Sequence, residues 1–403
     1  MGKACRYIYR DRRECTEEAY PGSELCILHM KLPDDDDPDR VMINMLKEDK
    51  VEEKIDSDDF NFEGAKLPEV DFFTKRIKGP VNFMDTKIRE DALFDKAMIK
   101  GDILFSGAVV GGELKFSNSM ITGNVLLNRM VIGGSAWFEG CKIGGTLRFS
   151  GSEIKRDIRF SGAQVVGTAD FKRTKSGGSL SFKKGMIGGS LHASGIQIEG
   201  GVFFDGAKIN GSFRIDSSKI GNDATFERAR IEGDVDLFLA DIKGLINFER
   251  ARFGMPKAQE KACRKAKQRY QEESDFEKVD HYYYLEMEAK RKQKHWLKKF
   301  LELPVQYVFG YGTKWQAVML SWFIVVFGCA LIYWFFGGVE TNIPDIQLNW
   351  WRYIYFSVAT VTTLGYGDYH PIRGFEILAS FEAIFGTFMW AAFITIFARK
   401  YMR

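Results

Sequence analysis

Charge of one sign is in short supply. The 403-residue chain carries 57 Lys and Arg against 54 Asp and Glu, a net charge of only +3. Without a strong basic excess, a nucleic-acid partner is not implied. Histidine is scarce, five in all, and only His192 falls within the long repetitive region described below. No cluster of carboxylates or histidines recurs along one face of that region, so no enzyme site is expected. The stretch from Met1 to Met30 lacks the apolar run of a cleavable signal. Nucleotide-binding signatures, EF-hand spacings and voltage-sensor helices are absent too. The acidic run Asp34–Asp37, with Pro38 and Asp39, lacks the spaced ligands and turn glycine of a Ca²⁺ loop, and reads as part of an acidic linker over 34–57.

What is present divides into two halves. In the C-terminal half, Trp315 to Phe336 contains no charged residue, and Phe375 to Phe397 contains two glutamates. Each is long enough to cross a bilayer core as a helix. Between them, Trp351 to Thr362 predicts a short re-entrant helix. Non-helical backbone at membrane depth is tolerated only where it is buried in protein or lines water. The following residues, Thr360-Val-Thr-Thr-Leu-Gly-Tyr-Gly-Asp368, suit such a place. A Thr-x-Gly-Tyr-Gly backbone from four chains supplies rings of carbonyl oxygen that replace the water around K⁺. Its glycines allow backbone conformations that a Cβ disfavours.

Lys290 to Lys294 and Lys298-Lys299 precede the first span, and Arg399, Lys400 and Arg403 follow the second. The loop between spans holds Glu340 and Asp345 and no Lys or Arg before Arg352. The bias predicts that both termini are cytoplasmic in a multi-pass protein of the cell membrane. The first span itself would direct insertion.

On these residues the chain resembles the two-transmembrane potassium channels, over roughly 313–398. The matching positions are Tyr355-Phe356-Ser357, Thr362-Thr363, Leu364, Gly365-Tyr366-Gly367 and Asp368. The resemblance implies that Thr363 offers a hydroxyl and a carbonyl, and that Leu364, Gly365 and Tyr366 offer carbonyls. It implies that Tyr366 braces against Tyr355 and Phe356, and that Asp368 adds negative potential at the outer mouth. It places Gly386 where the family often has a hinge; close helix packing is the alternative. Glu382 is costly inside a membrane and should have a partner; we expect it to brace the filter from behind, with Thr362. A second Gly-Tyr-Gly, at 310–312, lacks the Thr-x prefix and reads as a turn, with Thr313 as N-cap of the first span. Before it, Trp296, Leu297, Phe300 and Leu301 alternate with charges and suit an inner membrane surface.

The N-terminal half is a repeat. Its units, such as Gly134–Gly144 and Gly145–Lys155, are about 11 residues long. Eighteen units run from Asp58 to Gly254, the first one residue short. Position 5 is Phe in 14 of them and position 10 is Ile in 13. Period-2 spacing at positions 3/5 and 8/10 predicts two short strands per unit, with turns where Gly, Ser, Asn and Asp collect. Two units close a four-sided coil, giving about nine coils and roughly 43 Å of height at ~4.8 Å per rung. Phe should stack in one interior column. An 11-residue period also fits a right-handed coiled coil, but boundary glycines and Phe/Ile enrichment oppose helix. The pattern resembles the pentapeptide-repeat right-handed quadrilateral β-helix, with a step of 11 where two pentapeptides give ten.

A solenoid needs capped ends. Residues 1–33 supply a candidate: Cys5, Cys15, Cys26 and His29 in C-x9-C-x10-C-x2-H spacing suit a closed tetrahedral Zn²⁺ site. The spacing resembles small Cys₃His zinc modules; four unrelated residues in a tail are the other reading. A disulfide suits a reducing cytosol poorly. Residues 255–312 read as a helical linker with a break at Ser274-Asp275, and Tyr282-Tyr283-Tyr284 should pack on the solenoid's end or on a neighbouring subunit.

The expectation is thus a multi-domain membrane protein: a cytoplasmic β-helix over 58–254, a helical linker, and a pore domain over 313–403. One filter strand per chain calls for a homotetramer in the lipid bilayer, passing K⁺ down its gradient. The solenoid would bind a cytoplasmic ligand or protein partner, or set assembly. The alternative is a membrane-anchored scaffold with a non-conducting or weakly selective pore.

Overall fold

The computed structural model describes residues 3–343 and 347–402. Asp345 and Arg403, used above in reading charge bias, lie outside them. The chain forms two compact units, Met1–Ser274 and Asp275–Arg403.

In the first unit, α1 (Arg40–Asp56) leads into 35 two-residue strands, from β1 (Lys66–Leu67) to β35 (Arg252–Phe253). They stack into four parallel sheets of nine, nine, nine and eight strands. Each sheet takes every fourth strand, so the chain climbs one rung per coil. Lys142 pairs with Met120 on one side and with Gln164 on the other, two repeat units away in each direction. The four-sided, nine-coil solenoid, with two units to each coil, agrees with the repeat.

The reason is visible in one unit. In Gly134–Gly144, Ala136, Phe138, Cys141 and Ile143 are buried, and the residues between them face outward. Corners turn through residues of positive φ such as Asp85, Asn118, Arg129 and Gly140. At the other corners rungs approach too closely for a side chain. A Cβ on Gly133 would stand 2.0 Å from the Gly111 carbonyl, which explains the glycines that mark unit boundaries.

Phenylalanine forms two columns, not one, because each coil contains two units. Phe72, Phe94, Phe116, Phe138, Phe160, Phe182, Phe204, Phe226 and Phe248 stack at 4.6–5.3 Å between centroids. The second column carries Phe62, Phe83, Phe105, Leu127, Phe149 and Phe171, and meets the first edge to face, as at Phe149–Phe160, 5.9 Å and 87°. These are the arrangements an aromatic quadrupole favours. Where the second column shrinks to Ala193, Phe213 turns inward and packs edge-on against Phe204 and Phe226.

Both ends are covered. At the first coil the N-terminal module adds a main-chain bond from Lys66 N–H to the Leu28 carbonyl, 2.8 Å. The segment expected as linker contains α1, which buries Ile43, Lys47, Val51 and Lys54. The Lys47 ammonium donates to the carbonyls of Ile27 and Met30, and burial pulls it down to about 8. At the last coils, α2 (Pro256–Glu272) begins on its proline and buries Ala258, Ala262 and Ala266 on one face. Small side chains at i, i+4 and i+8 let the helix lie close against the strands. Arg269 Nε donates to the Gly244 carbonyl at 2.9 Å, and Lys261 pairs with Asp234 at 2.8 Å.

The second unit contains α3 (Phe276–Lys292), α4 (Trp296–Leu301), α5 (Leu303–Tyr307), α6 (Trp315–Phe336), strand β36 (Val339–Thr341), α7 (Trp350–Val361), strand β37 (Tyr369–Pro371) and α8 (Glu376–Tyr401). The helix break falls as expected, with Ser274 at φ +60° and Asp275 capping α3 through Lys278 N–H. Helices α6 and α8 are long and apolar enough to cross a membrane. They pack with α7 around Tyr333, Tyr353, Phe356 and Ala379, and against each other around Val318, Met389 and Ile396. Most of their remaining large apolar side chains are exposed, as lipid contact requires.

Candidate functional site

Helix α7 ends at Val361, and its last turn holds the segment that follows. Thr363 N–H donates to the Thr360 carbonyl at 3.0 Å, and Leu364 N–H to the Ala359 carbonyl at 2.9 Å. The Thr362 hydroxyl donates back to the Val358 carbonyl at 2.6 Å. From there the backbone alternates. Thr363, Gly365 and Gly367 have φ of +56°, +58° and +75°, while Leu364 and Tyr366 between them stay on the ordinary side. An extended strand points successive carbonyls to opposite sides. Reversing the sign of φ at every second residue turns them toward one side. Thr363 is not a glycine, and a left-handed conformation there costs on the order of 1–3 kcal/mol, the kind of strain that concentrates at functional sites.

The outer end is tied down. Strand β36 pairs antiparallel with β37. Asn342 N–H and the Thr341 hydroxyl donate to the Asp368 carbonyl at 3.3 and 3.0 Å, and the Asn342 amide to the Gly367 carbonyl at 3.3 Å. The sequence reading missed this antiparallel pair, whose strands flank α7 and the segment after it; the alternation Val339-Glu340-Thr341 was its only signal.

Behind the segment lies Glu382, with no exposed surface. It accepts hydrogen bonds from the Tyr333 hydroxyl on α6, at 3.0 Å, and from the Ser357 hydroxyl on α7. Ser357 also bonds the Val326 carbonyl at 2.8 Å. One carboxylate on α8 thus joins both other helices, the partnership that an apolar location demands. Tyr333 was not singled out from the sequence, although a buried glutamate implies a hydroxyl or cation nearby.

Several expectations are revised. Tyr366 is 69% exposed, and its expected partners pack elsewhere: Tyr355 against Tyr369 at 5.6 Å, Phe356 against Tyr333 at 5.1 Å. In a single chain no neighbouring segment closes over that ring. Gly386 sits where α8 meets the end of α7; a Cβ there would stand 1.9 Å from the Val361 carbonyl. Close packing accounts for this glycine, and α8 runs unbroken through it. Thr313 is not the N-cap of α6. Lys314 occupies that position, and the Thr313 hydroxyl closes the preceding turn onto Gly310 at 2.7 Å. That turn, Gly310–Gly312, is the second Gly-Tyr-Gly. Its buried Tyr311 meets Tyr284 of α3 at 5.8 Å, and Lys314 lies over the Tyr284 ring. The α3 tyrosines therefore find at least one partner in this turn, within their own unit.

The second site is in the N-terminal module. Cys5, Cys15, Cys26 and His29 are all buried, and their ligand atoms lie within 4.8 Å of one another. Cys15 and Cys26 sulfurs are 4.0 Å apart, and His29 Nδ1 stands 3.1 Å from the Cys26 sulfur and 3.6 Å from that of Cys5. A tetrahedron with metal–sulfur bonds of about 2.3 Å has S–S edges of roughly 3.8 Å. The sulfurs are spaced for a shared ion. The other imidazole nitrogen, Nε2, is 3.0 Å from the Glu63 carbonyl, which fixes the ring with Nδ1 toward the thiols. Tyr7 stacks on its face at 3.9 Å. Burial pushes the Cys26 thiol up to about 12 and His29 below its usual range, so a bound cation is what would make this group ionise. The cluster suits a metal ion.

Residues 320–403 match a family model described as ion channel. They carry an ion-channel domain. Residues 127–175 match one described as pentapeptide repeats (9 copies), within the solenoid. Comparisons with curated proteins and with solved structures find no match. The protein therefore joins a channel domain, with its two candidate spans, to a nine-coil solenoid and a candidate metal module.

Proposed function

We propose that four copies of this chain assemble one potassium-selective pore in the cell membrane, with Thr363, Leu364, Gly365, Tyr366, Gly367 and Asp368 as its filter. The supporting observation is the alternation of φ at 363, 365 and 367 directly after α7. Four such strands facing an axis present stacked oxygen rings to a dehydrated K⁺. The α7 C-terminus, the negative end of its dipole, adds favourable potential near that axis. Glu382, through Ser357, and Thr362, through Val358, brace the helix α7 that carries the strand, and Tyr355 and Phe356 pack that helix against Tyr369 and Tyr333. Conduction is passive, both termini are cytoplasmic, and the apolar side of α4 rests on the inner membrane surface. The cytoplasmic solenoid serves regulation or assembly, and its cap holds a structural Zn²⁺.

Purified protein reconstituted into liposomes tests the reading. K⁺ flux that far exceeds Na⁺ flux is expected. Equal passage of the two ions, or a protein stably monomeric in membranes, would overturn it; a tetramer without flux would leave the scaffold reading.

A further inference from the structure

One corner of the solenoid gathers hydrogen-bond donors that the pore does not use. On this side of the coil, position 4 of a unit often carries Asn or Asp, whose side chain satisfies the free N–H two residues on. Asn82 accepts from Met84 N–H at 3.0 Å, Asp170 from Lys172 at 3.1 Å, and Asp236 from Phe238 at 3.1 Å. In three consecutive coils the position holds Leu104, Leu126 and Arg148, paired rung on rung. These side chains cannot accept. Among the described residues, the main-chain N–H groups of Ser106, Asn128 and Ser150 have no hydrogen-bond partner, and those of Ser194 and Asp216, beyond the Asp170 coil, have none either; what singles out the first three is that they stand on consecutive rungs beside two arginines.

The same three residues line a groove of about 480 Å³, together with Gly107, Arg10, Arg129, Arg148 and Asp170. Its charges are unequal. Arg10 is bound to Asp85 by two hydrogen bonds. Asp170 accepts from the Lys172 backbone and lies 3.9 Å from its ammonium. Arg129 and Arg148 have no acidic partner among the described residues, so they set the sign of the groove. Adjacent rungs are ~4.8 Å apart, so the three N–H groups span roughly 10 Å. Stacked N–H groups beside unpaired guanidinium groups are the donors that phosphate oxygens accept from.

We propose that this groove binds closely spaced phosphate groups, those of a soluble polyphosphorylated metabolite or of a phosphorylated lipid headgroup. Arg10 belongs to the metal-bearing module, so such a ligand would touch the cap and the solenoid together. The site is independent of the pore and can fail without it.

The test uses the purified full-length protein and titration calorimetry at physiological ionic strength. The probes are inorganic triphosphate and the soluble headgroup of phosphatidylinositol bisphosphate. Saturable binding of one probe per chain is expected, and the tighter probe assigns the source. Arg129→Gln and Arg148→Gln should each weaken it about tenfold. Ser150→Pro removes an N–H at a turn position that proline tolerates; it should weaken binding while leaving thermal unfolding unchanged. Lys184→Gln, on another corner, should have no effect. Absence of saturable binding up to millimolar probe, or equal affinity in all four variants, would overturn the site.

Discussion

Phe149→Ala tests the solenoid's interior most directly. The ring is wholly buried. It stacks on Phe171 at 5.2 Å and meets Phe138 and Phe160 edge-on at 5.8 and 5.9 Å. Truncation removes both the burial of the ring and three aromatic contacts. Main-chain bonds hold the rungs above and below, Leu127 N–H to Arg148 and Phe149 N–H to Asp170, each at 2.7 Å. The coil therefore cannot collapse to fill the space. The expected cost is about 3–5 kcal/mol. For a domain of this size that is roughly 6–20 °C in Tm. Phe149→Leu is the control. Leu127 already occupies the same column, fully buried, one coil away, so a leucine should cost less than about 1.5 kcal/mol. Urea titration of the full-length protein, followed by the strand signal in circular dichroism, reads both. An alanine variant within about 1 kcal/mol of the parent, or a leucine variant as damaged as the alanine one, would refute the aromatic column as a source of stability.

Gly367→Ala forces a Cβ into φ +75° and should abolish K⁺ selectivity in the liposome assay; unchanged K⁺/Na⁺ discrimination would remove Gly367 from the filter. Glu382→Ala strands the buried Tyr333 hydroxyl, at a cost of about 1–3 kcal/mol, while Ser357 keeps the Val326 carbonyl as its acceptor; thermal stability in detergent should fall accordingly, and Glu382→Gln, which still accepts, should suffer less. Gly386→Ala should cost about 1–3 kcal/mol by overpacking against Val361 and reduce flux; an alanine variant with normal stability and flux would contradict the close approach. Metal analysis of the purified protein should find about one Zn²⁺ per chain, lost in Cys15→Ser together with the protease resistance of the N-terminal module; zinc-free protein with an intact, resistant cap would exclude the metal.

The solenoid was legible because every coil imposes the same constraint. A residue facing inward at position 5 or 10 has only apolar neighbours above and below, so Phe and Ile recur and the period shows through. Two units to a coil already require two position-5 columns, because successive units occupy different sides; a repeat read one unit at a time shows only one. Helix α1 was hidden for a physical reason. Its inward positions are Ile43, Lys47, Val51 and Lys54, while Val41, Met42, Met45 and Leu46 face outward. The polarity pattern that announces a surface helix is inverted. Lys47 is buried because its ammonium finds carbonyl oxygens in the Cys26–Met30 turn, and no spacing within the helix encodes that partner.

The channel domain was legible for the opposite reason: its constraints are local in sequence. The charge-free run Trp315–Phe336, a Thr-x-Gly-Tyr-Gly stretch and a lone glutamate each declare a requirement of membrane depth. They do not declare who meets whom. Glu382 announces only that a polar partner exists; the structure supplies Tyr333 and Ser357, from two different helices. Gly386 announces a missing side chain, and Val361, the last residue of α7, explains it. Both contacts converge on α7. A change in how α8 packs would be felt first at the last turn of that helix, whose carbonyls hold Thr363 and Leu364. The two α8 positions that meet α7, Glu382 and Gly386, thus connect that helix to the turn that carries the following strand.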